Sequence, residues 1–198
     1  MTAEPLHTTP AASWPVPPQD GYTVDDLFRL PDLPPHTELI DGSLVFVSPQ
    51  RSFHCMVMYL LESGLHSTVP SDLRVRREMN VVIDKRQAPE PDLLVIRAEA
   101  ATSTKESCYD AKDVELVVEV VSPDSEVRDR KRKPQLYAEA GIRHFWRVEC
   151  GEDERPVVYV YELDEATKAY GLTGIHHDHL KLTVPFTIDI DLTEIDHL

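Results

Sequence analysis

The run VELVVEVV at Val114–Val121, closed by Ser122-Pro123, decides how the rest of the chain is read. It is β-branched and almost continuously apolar, the pattern of a strand buried on both faces of a sheet. Ser122-Pro123 stops it, because proline has no N–H for the ladder. Glu119 stands in the middle of this run. A carboxylate there is costly to bury unless it is paired, hydrogen-bonded or bound to a metal. Two readings stay open: Glu119 pairs with a core arginine or points out at a sheet edge, or it serves a metal. Glu115 lies nearer the start of the run, where exposure is easier.

Outward from this strand, Ser125–Ala140 predicts a helix, with Gly141 as its left-handed stop. Leu136, Tyr137 and Ala140 form its buried stripe. His144–Glu149 and Val157–Glu162 predict two further strands joined by an acidic turn, with Phe145 and Trp146 in the core. A last strand is expected near Leu182–Ile190. Upstream, Leu73–Ile83 and Leu93–Ile96 read as strands. Phe53–Leu65 reads as a helix on the spacing of Val57, Leu60, Leu61 and Leu65, with Gly64 near its end. Glu38–Ser48 reads as a hairpin around Asp41-Gly42, a turn pair that tolerates positive φ. Thr23 caps a short helix with Asp26 as the reciprocal acid, and Pro31 ends it. Helices and strands in this order give an α/β or α+β class with a mixed sheet flanked by helices.

The chain has 198 residues, enough for one domain that buries a core without disulfides. Five prolines crowd the first twenty residues, so residues 1–20 are expected to be a disordered arm ahead of a single domain at 21–198. The three cysteines form no metal or disulfide spacing and suit a reducing cytoplasm. No apolar stretch is long enough to span a membrane, and no basic-then-apolar leader opens the chain. The net charge of −15 excludes a generally basic nucleic-acid coat or a polybasic membrane binder.

Chemistry gathers around Glu119. Asp92, after Pro91, stands at the mouth of a hydrophobic strand; alone, Pro-Asp is an ordinary turn pair. Together, two carboxylates on adjacent strands suit a hard divalent cation such as Mg²⁺ or Mn²⁺, which takes one or two carboxylates plus waters and phosphate oxygens. A cation to steady developing charge is then wanted. The segment RDRKRK, Arg128–Lys133, is the one dense basic patch. Most of it reads as a solvated helix face, but one lysine reaching back to the Glu119 strand is reasonable for consecutive, packed elements. His54 opens the Phe53 helix and reads as a structural histidine or a partner to the site. His176, His177 and His179 lack a fourth ligand at fixed spacing and read as a loop.

The ordered set Glu38, Asp92, Glu119 and a following lysine resembles the PD-(D/E)XK nuclease superfamily. More closely, it is similar to the bacterial restriction endonuclease-like family called Uma-two. The matching pieces are ELIDG at 38–42, His54, PD at 91–92, EVVSP at 119–123 and DRKRKPQLYAEAGIRHFWRVE at 129–149, over roughly residues 22–190. The resemblance implies a restriction-endonuclease-like core with its site at one end of the central strands. It implies metal binding by Asp92, Glu119 and the Val120 carbonyl, with Glu38 completing the site. The superfamily lysine position is filled by Val121. The resemblance places the lysine on the helix instead, at Lys133, with Lys131 in reserve. Pro134 follows directly, either kinking the helix or opening it in the first turn.

The expected activity is metal-dependent endonucleolytic cleavage of DNA. Its rival is a catalytically weak or inactive nuclease fold that binds protein, favoured by the −15 charge and by Val121. Cleavage of RNA or small nucleotides is not separated from cleavage of DNA by the sequence. A homodimer is expected if both strands of a duplex are cut. The charge is uneven: residues 126–133 hold five bases and two acids, residues 149–165 one base and seven acids. Non-specific DNA affinity should therefore be weak and salt-sensitive.

Overall fold

The computed structural model describes residues 16–198, so the arm expected at the N-terminus lies almost wholly outside the described residues. Thr23 caps α1 (Val24–Arg29): its hydroxyl accepts the Asp26 N–H, and the Asp26 carboxylate accepts the Thr23 N–H at 2.8 Å. Strands β1 (Glu38–Ile40) and β2 (Ser43–Val45) form the expected hairpin. Its turn needs left-handed backbone at Asp41 (φ 53°) and Gly42 (φ 72°). A Cβ on Gly42 would also lie 2.5 Å from the Arg86 guanidinium.

Helix α2 (Ser52–Thr68) is a turn longer than its apolar spacing predicts. Gly64 is therefore inside it rather than at its end. The reason is packing: a Cβ there would lie 2.5 Å from Ile190 Cγ1. The strand expected at Leu73–Ile83 is two, β3 (Leu73–Arg77) and β4 (Asn80–Val82). Glu78, at φ 51°, breaks the extended backbone between them, which periodicity alone does not reveal. After β5 (Leu93–Arg97) and β6 (Cys108–Asp110) comes β7 (Val114–Val120), the strand that holds Glu119.

The helix expected at Ser125–Ala140 is composite. A π-helical turn, Arg128–Arg132, runs straight into α3 (Lys133–Glu139). Pro134 lies in the first turn of α3, where its missing N–H would have no helical partner, so it opens this helix rather than kinking it. Gly141 (φ 83°) ends it. Then follow β8 (His144–Cys150), β9 (Pro156–Asp164), β10 (Ala169–His176), β11 (His179–Leu182) and β12 (Ile188–Asp191). The single late strand expected is thus a two-stranded ribbon, β11–β12, and β10 is an additional strand. Glycines 171 and 174 and few core-facing residues gave β10 no clear alternation. His176 and His179 consequently sit on strands, with His177 between them, rather than all in a loop.

The main sheet has six strands in the order β10-β9-β8-β7-β5-β3. Only β7 and β8 run parallel, joined by the π-turn and α3; the other neighbours are antiparallel. Side chains alternate between two cores. Leu93, Val95, Leu116, Val118 and Val120 face α2 and β12. Leu94, Ile96, Val117 and Phe145 face the other way, with Tyr137 of α3 and Ile142. Parity puts Glu119 on this second face, under α3. Among the described residues no helix is long and apolar enough to cross a membrane.

Candidate active site

Glu119 is 1% exposed, and neither a core arginine nor an open sheet edge accounts for it. Its Oε2 lies 2.9 Å from Lys133 Nζ, and its Oε1 accepts the Tyr137 hydroxyl proton at 2.6 Å. Both partners come from α3, because the β7–α3–β8 crossover lays that helix over the strand it has just left. The π-turn widens the backbone ladder by one residue ahead of Lys133, whose N–H reaches back to the Arg128 carbonyl. That offset sets which way the lysine faces.

Lys133 is 5% exposed and meets three carboxylates: Glu38 Oε1 at 2.7 Å, Glu119 Oε2 at 2.9 Å and Asp129 Oδ1 at 3.4 Å. Burial alone would drive its proton off, but Glu119, Glu38, Asp129 and Asp92 outweigh that and hold it well above its ordinary pKa. The surrounding carboxylates thus favour the ammonium form of Lys133. Burial pushes Glu119 the other way, well above the usual carboxylate range, against the pull of Lys133. Burial likewise raises Asp129, opposed by Lys133, and raises the Tyr137 hydroxyl, reinforced by Glu119.

Asp92 arrives from the neighbouring strand. The register that sets Leu93 opposite Val118 carries Asp92 to the Glu119 end of β7. Its Oδ2 accepts the Val120 N–H at 2.6 Å, and its Oδ1 lies 2.8 Å from His54 Nε2. His54 is buried at the start of α2, and its Nδ1 has no hydrogen-bond partner among the described residues. Glu38, at the start of β1, accepts the Glu90 N–H at 2.9 Å in addition to facing Lys133. Glu38, His54, Asp92, Glu119, Asp129 and Lys133 line one narrow cleft, together with Ser122, Ser125 and Arg128. At its rim His36 Nδ1 meets Glu90 at 2.6 Å, which raises the His36 pKa.

Glu38, His54, Asp92, Glu119, Val120 and Lys133 thus come together. Lys131 does not: it is exposed and lines a separate groove on the far side of α3, so it is no substitute for Lys133. Residues three apart on a helix share a face, whereas residues two apart do not, and this separates Lys131 from Lys133. The remaining bases of RDRKRK are also divided. Arg132 Nε bonds Asp41 Oδ2 of the hairpin turn at 2.8 Å, and Arg130 bonds Glu149 at 3.0 Å. Arg128 faces the cleft with its Nε buried and unpartnered.

Three residues of the cluster were given no role at the site from sequence, although Asp129 and Tyr137 lie in the stretch that carries the family resemblance. Tyr137 read as core filler, Asp129 as one acid in a basic run, and Arg128 as surface charge. The spacing Ser125-x-x-x-Asp129-x-x-x-Lys133 was the available signal for Asp129, since i, i+4 residues stack along one helical face.

The donor set is hard oxygen, and the four carboxylates of Glu38, Asp92, Glu119 and Asp129 outnumber the cations Lys133 and Arg128. Among the described residues no three His, Cys, Asp or Glu side chains converge in a geometry that holds a metal outright. Asp92, Glu119 and Val120 all line this cleft.

The six-stranded mixed sheet flanked by helices matches a crystal structure of a putative nuclease belonging to DUF820 from Anabaena variabilis. The TM-score is 0.67 at 17% identity, over 87% of this chain and 96% of that one. At this identity the likeness shows the fold. The curated proteins include no match. The sequence profile of the Uma2 family, described as "Putative restriction endonuclease", matches residues 24–193. That span takes in every element from α1 to β12 and every residue of the carboxylate–lysine cluster, and the chain belongs to this family.

Proposed function

We propose that the chain is a metal-dependent endonuclease that hydrolyses phosphodiester bonds of DNA at the cleft formed by Asp92, Glu119, Glu38 and Lys133. The observation that carries this reading is the buried ammonium of Lys133 among carboxylates at the end of the central strands. A structural ion pair needs one carboxylate; a surplus of them under a narrow opening suits a site that takes up further positive charge. The residues fit Mg²⁺ or Mn²⁺ in donor chemistry. Asp92 and Glu119 supply two carboxylates and Val120 a backbone carbonyl, which leaves room for the waters and phosphate oxygens that Mg²⁺ prefers to keep. Such a cation polarises the scissile phosphate and lowers the pKa of a water.

The protein's own groups have distinct tasks in this reading. His54 and the Val120 N–H fix the two oxygens of Asp92. Tyr137 and Lys133 fix those of Glu119. Lys133, favoured as the ammonium by its carboxylate neighbours, orients the attacking water by donating to it and steadies charge on the phosphate. Val121 has no such group to offer, so the helix supplies what the strand lacks. Cutting both strands of a duplex at one place calls for two copies of the site and hence a symmetric pair of chains.

The rival reading, an inactive nuclease fold that binds protein, is favoured by one observation: both oxygens of Glu119 are already engaged within the protein. Calorimetric titration with Mg²⁺ and Mn²⁺, together with plasmid cleavage, separates the two. The nuclease reading predicts metal binding at or below millimolar concentration and nicking that a chelator stops. No heat at millimolar metal and no nicking would favour the rival.

A further inference from the structure

Beyond the carboxylate cleft, an open groove of about 390 Å³ lies between α3 and strands β8–β10. Its floor is Phe145, and its walls include Tyr161 and Tyr170. The Phe145 and Tyr170 rings are stacked with centroids 5.4 Å apart, and Phe145 and Tyr161 lie 5.5 Å apart. Tyr170 is held by its hydroxyl, which donates to the Ile142 carbonyl at 2.7 Å, so its ring is a fixed surface. Tyr161 is half-buried beside Arg147, whose guanidinium lies 4.6 Å from the Tyr159 ring centre and 5.5 Å from that of Tyr161.

Cations rim the groove. Arg130 and Arg147 are tied to Glu149. Lys131 and Lys168, both exposed, have no ion-pair partner among the described residues. In a chain of net charge −15, two uncommitted lysines thus flank the half-buried rings of Tyr161 and Tyr170. The groove is also tied to the cleft. Glu119 of β7 is in register with Arg147 of β8, and Arg147 with Tyr159 of β9. This row joins the buried carboxylate to Arg147 on the groove wall, one strand spacing of about 5 Å away.

We propose that this groove binds one unpaired nucleotide of a single-stranded nucleic acid, a few ångströms along the strand from the phosphate in the cleft. The base lies against Tyr161 and Tyr170, and its flanking phosphates meet Lys131 and Lys168. Only an unpaired base offers its face to such rings, and stacking of this kind is tolerant of base identity. The volume suits a single nucleotide, and the lysines answer its charge. The inference deepens the nuclease reading but does not need catalysis.

The test is fluorescence anisotropy of a dye-labelled oligothymidylate with the full chain in chelator at low salt, where cleavage is suppressed. The wild type should bind it, and bind a duplex of equal length at least tenfold less well. K131E/K168E should bind at least tenfold more weakly with a shallower salt dependence, and Y161A at least fivefold more weakly, with melting temperatures kept. Absence of binding by the wild type, equal affinity for duplex, or unchanged affinity in the variants would overturn the proposal. Because the assay omits metal, loss of the nuclease reading through an inactive cleft would leave this result untouched.

Discussion

Glu119 was legible in the sequence as an anomaly, because a carboxylate inside VELVVEVV contradicts the burial that the run demands. What the sequence left open was its partner. An arginine, a solvent edge and a metal all answer the same cost, and only the packing of α3 over β7 selects Lys133 and Tyr137. The resemblance put Lys133 first with Lys131 in reserve, and the helical face separates them. The cluster gives two contrasting expectations. Lys133→Met strands three contacting carboxylates without their cation, and breaking a buried pair in this way costs about 3–5 kcal/mol. It should lower the melting temperature strongly and abolish cleavage. Glu119→Gln removes a buried charge while Glu38 and Asp129 still face the lysine, so it should abolish cleavage and leave the melting temperature unchanged or raised. Circular dichroism melts beside a plasmid assay check both, and equal destabilisation by the two variants would refute the charge imbalance argued here. His54→Ala, which frees Asp92 Oδ1, should lower activity about 10- to 100-fold, the usual effect of losing a residue that orients a metal-binding group.

At the scale of elements, strands and helices with strong apolar period were readable, and those shaped by special backbone were not. The capping box at Thr23 and the Asp41-Gly42 turn follow from local chemistry, and both are present. The break at Glu78, the π-turn before α3 and the glycine-bearing strand β10 depend on tertiary contacts that no window of sequence contains. Gly64 is the sharpest case. It reads as a helix stop, yet it lies inside α2 because Ile190 of β12 occupies the space a side chain would need. Gly64→Ala gains helix propensity but forces the helix off β12, and overpacking of this kind costs about 1–3 kcal/mol. The melting temperature should fall by about 2–10 °C for a domain of this size. An unchanged or raised value would mean that α2 and β12 separate freely.

For the whole molecule, charge sets both the pH response and the substrate. Asp41, Asp189 and Asp196 are held below the ordinary carboxylate range, chiefly by hydrogen bonds from Arg132, Lys181 and Arg155 respectively. Groups lowered on folding stabilise the native state above their unfolded pKa, near 3.9, and that contribution is lost as pH falls through their folded values. Stability should therefore decline as pH falls below about 4 at low salt, and Asp41→Asn should blunt the decline by removing one such group. Melts across this range in both proteins check the sign. The net charge of −15 disfavours broad contact with duplex DNA, so on the proposed reading substrate is engaged locally, at the cleft and at the groove behind α3. The most direct measurement is cleavage of supercoiled plasmid in Mg²⁺ or Mn²⁺ by the wild type and by Asp92→Ala, with folding of both confirmed by circular dichroism. The wild type should nick the plasmid only with metal, and the folded variant should not. Undiminished cleavage by Asp92→Ala would contradict the site.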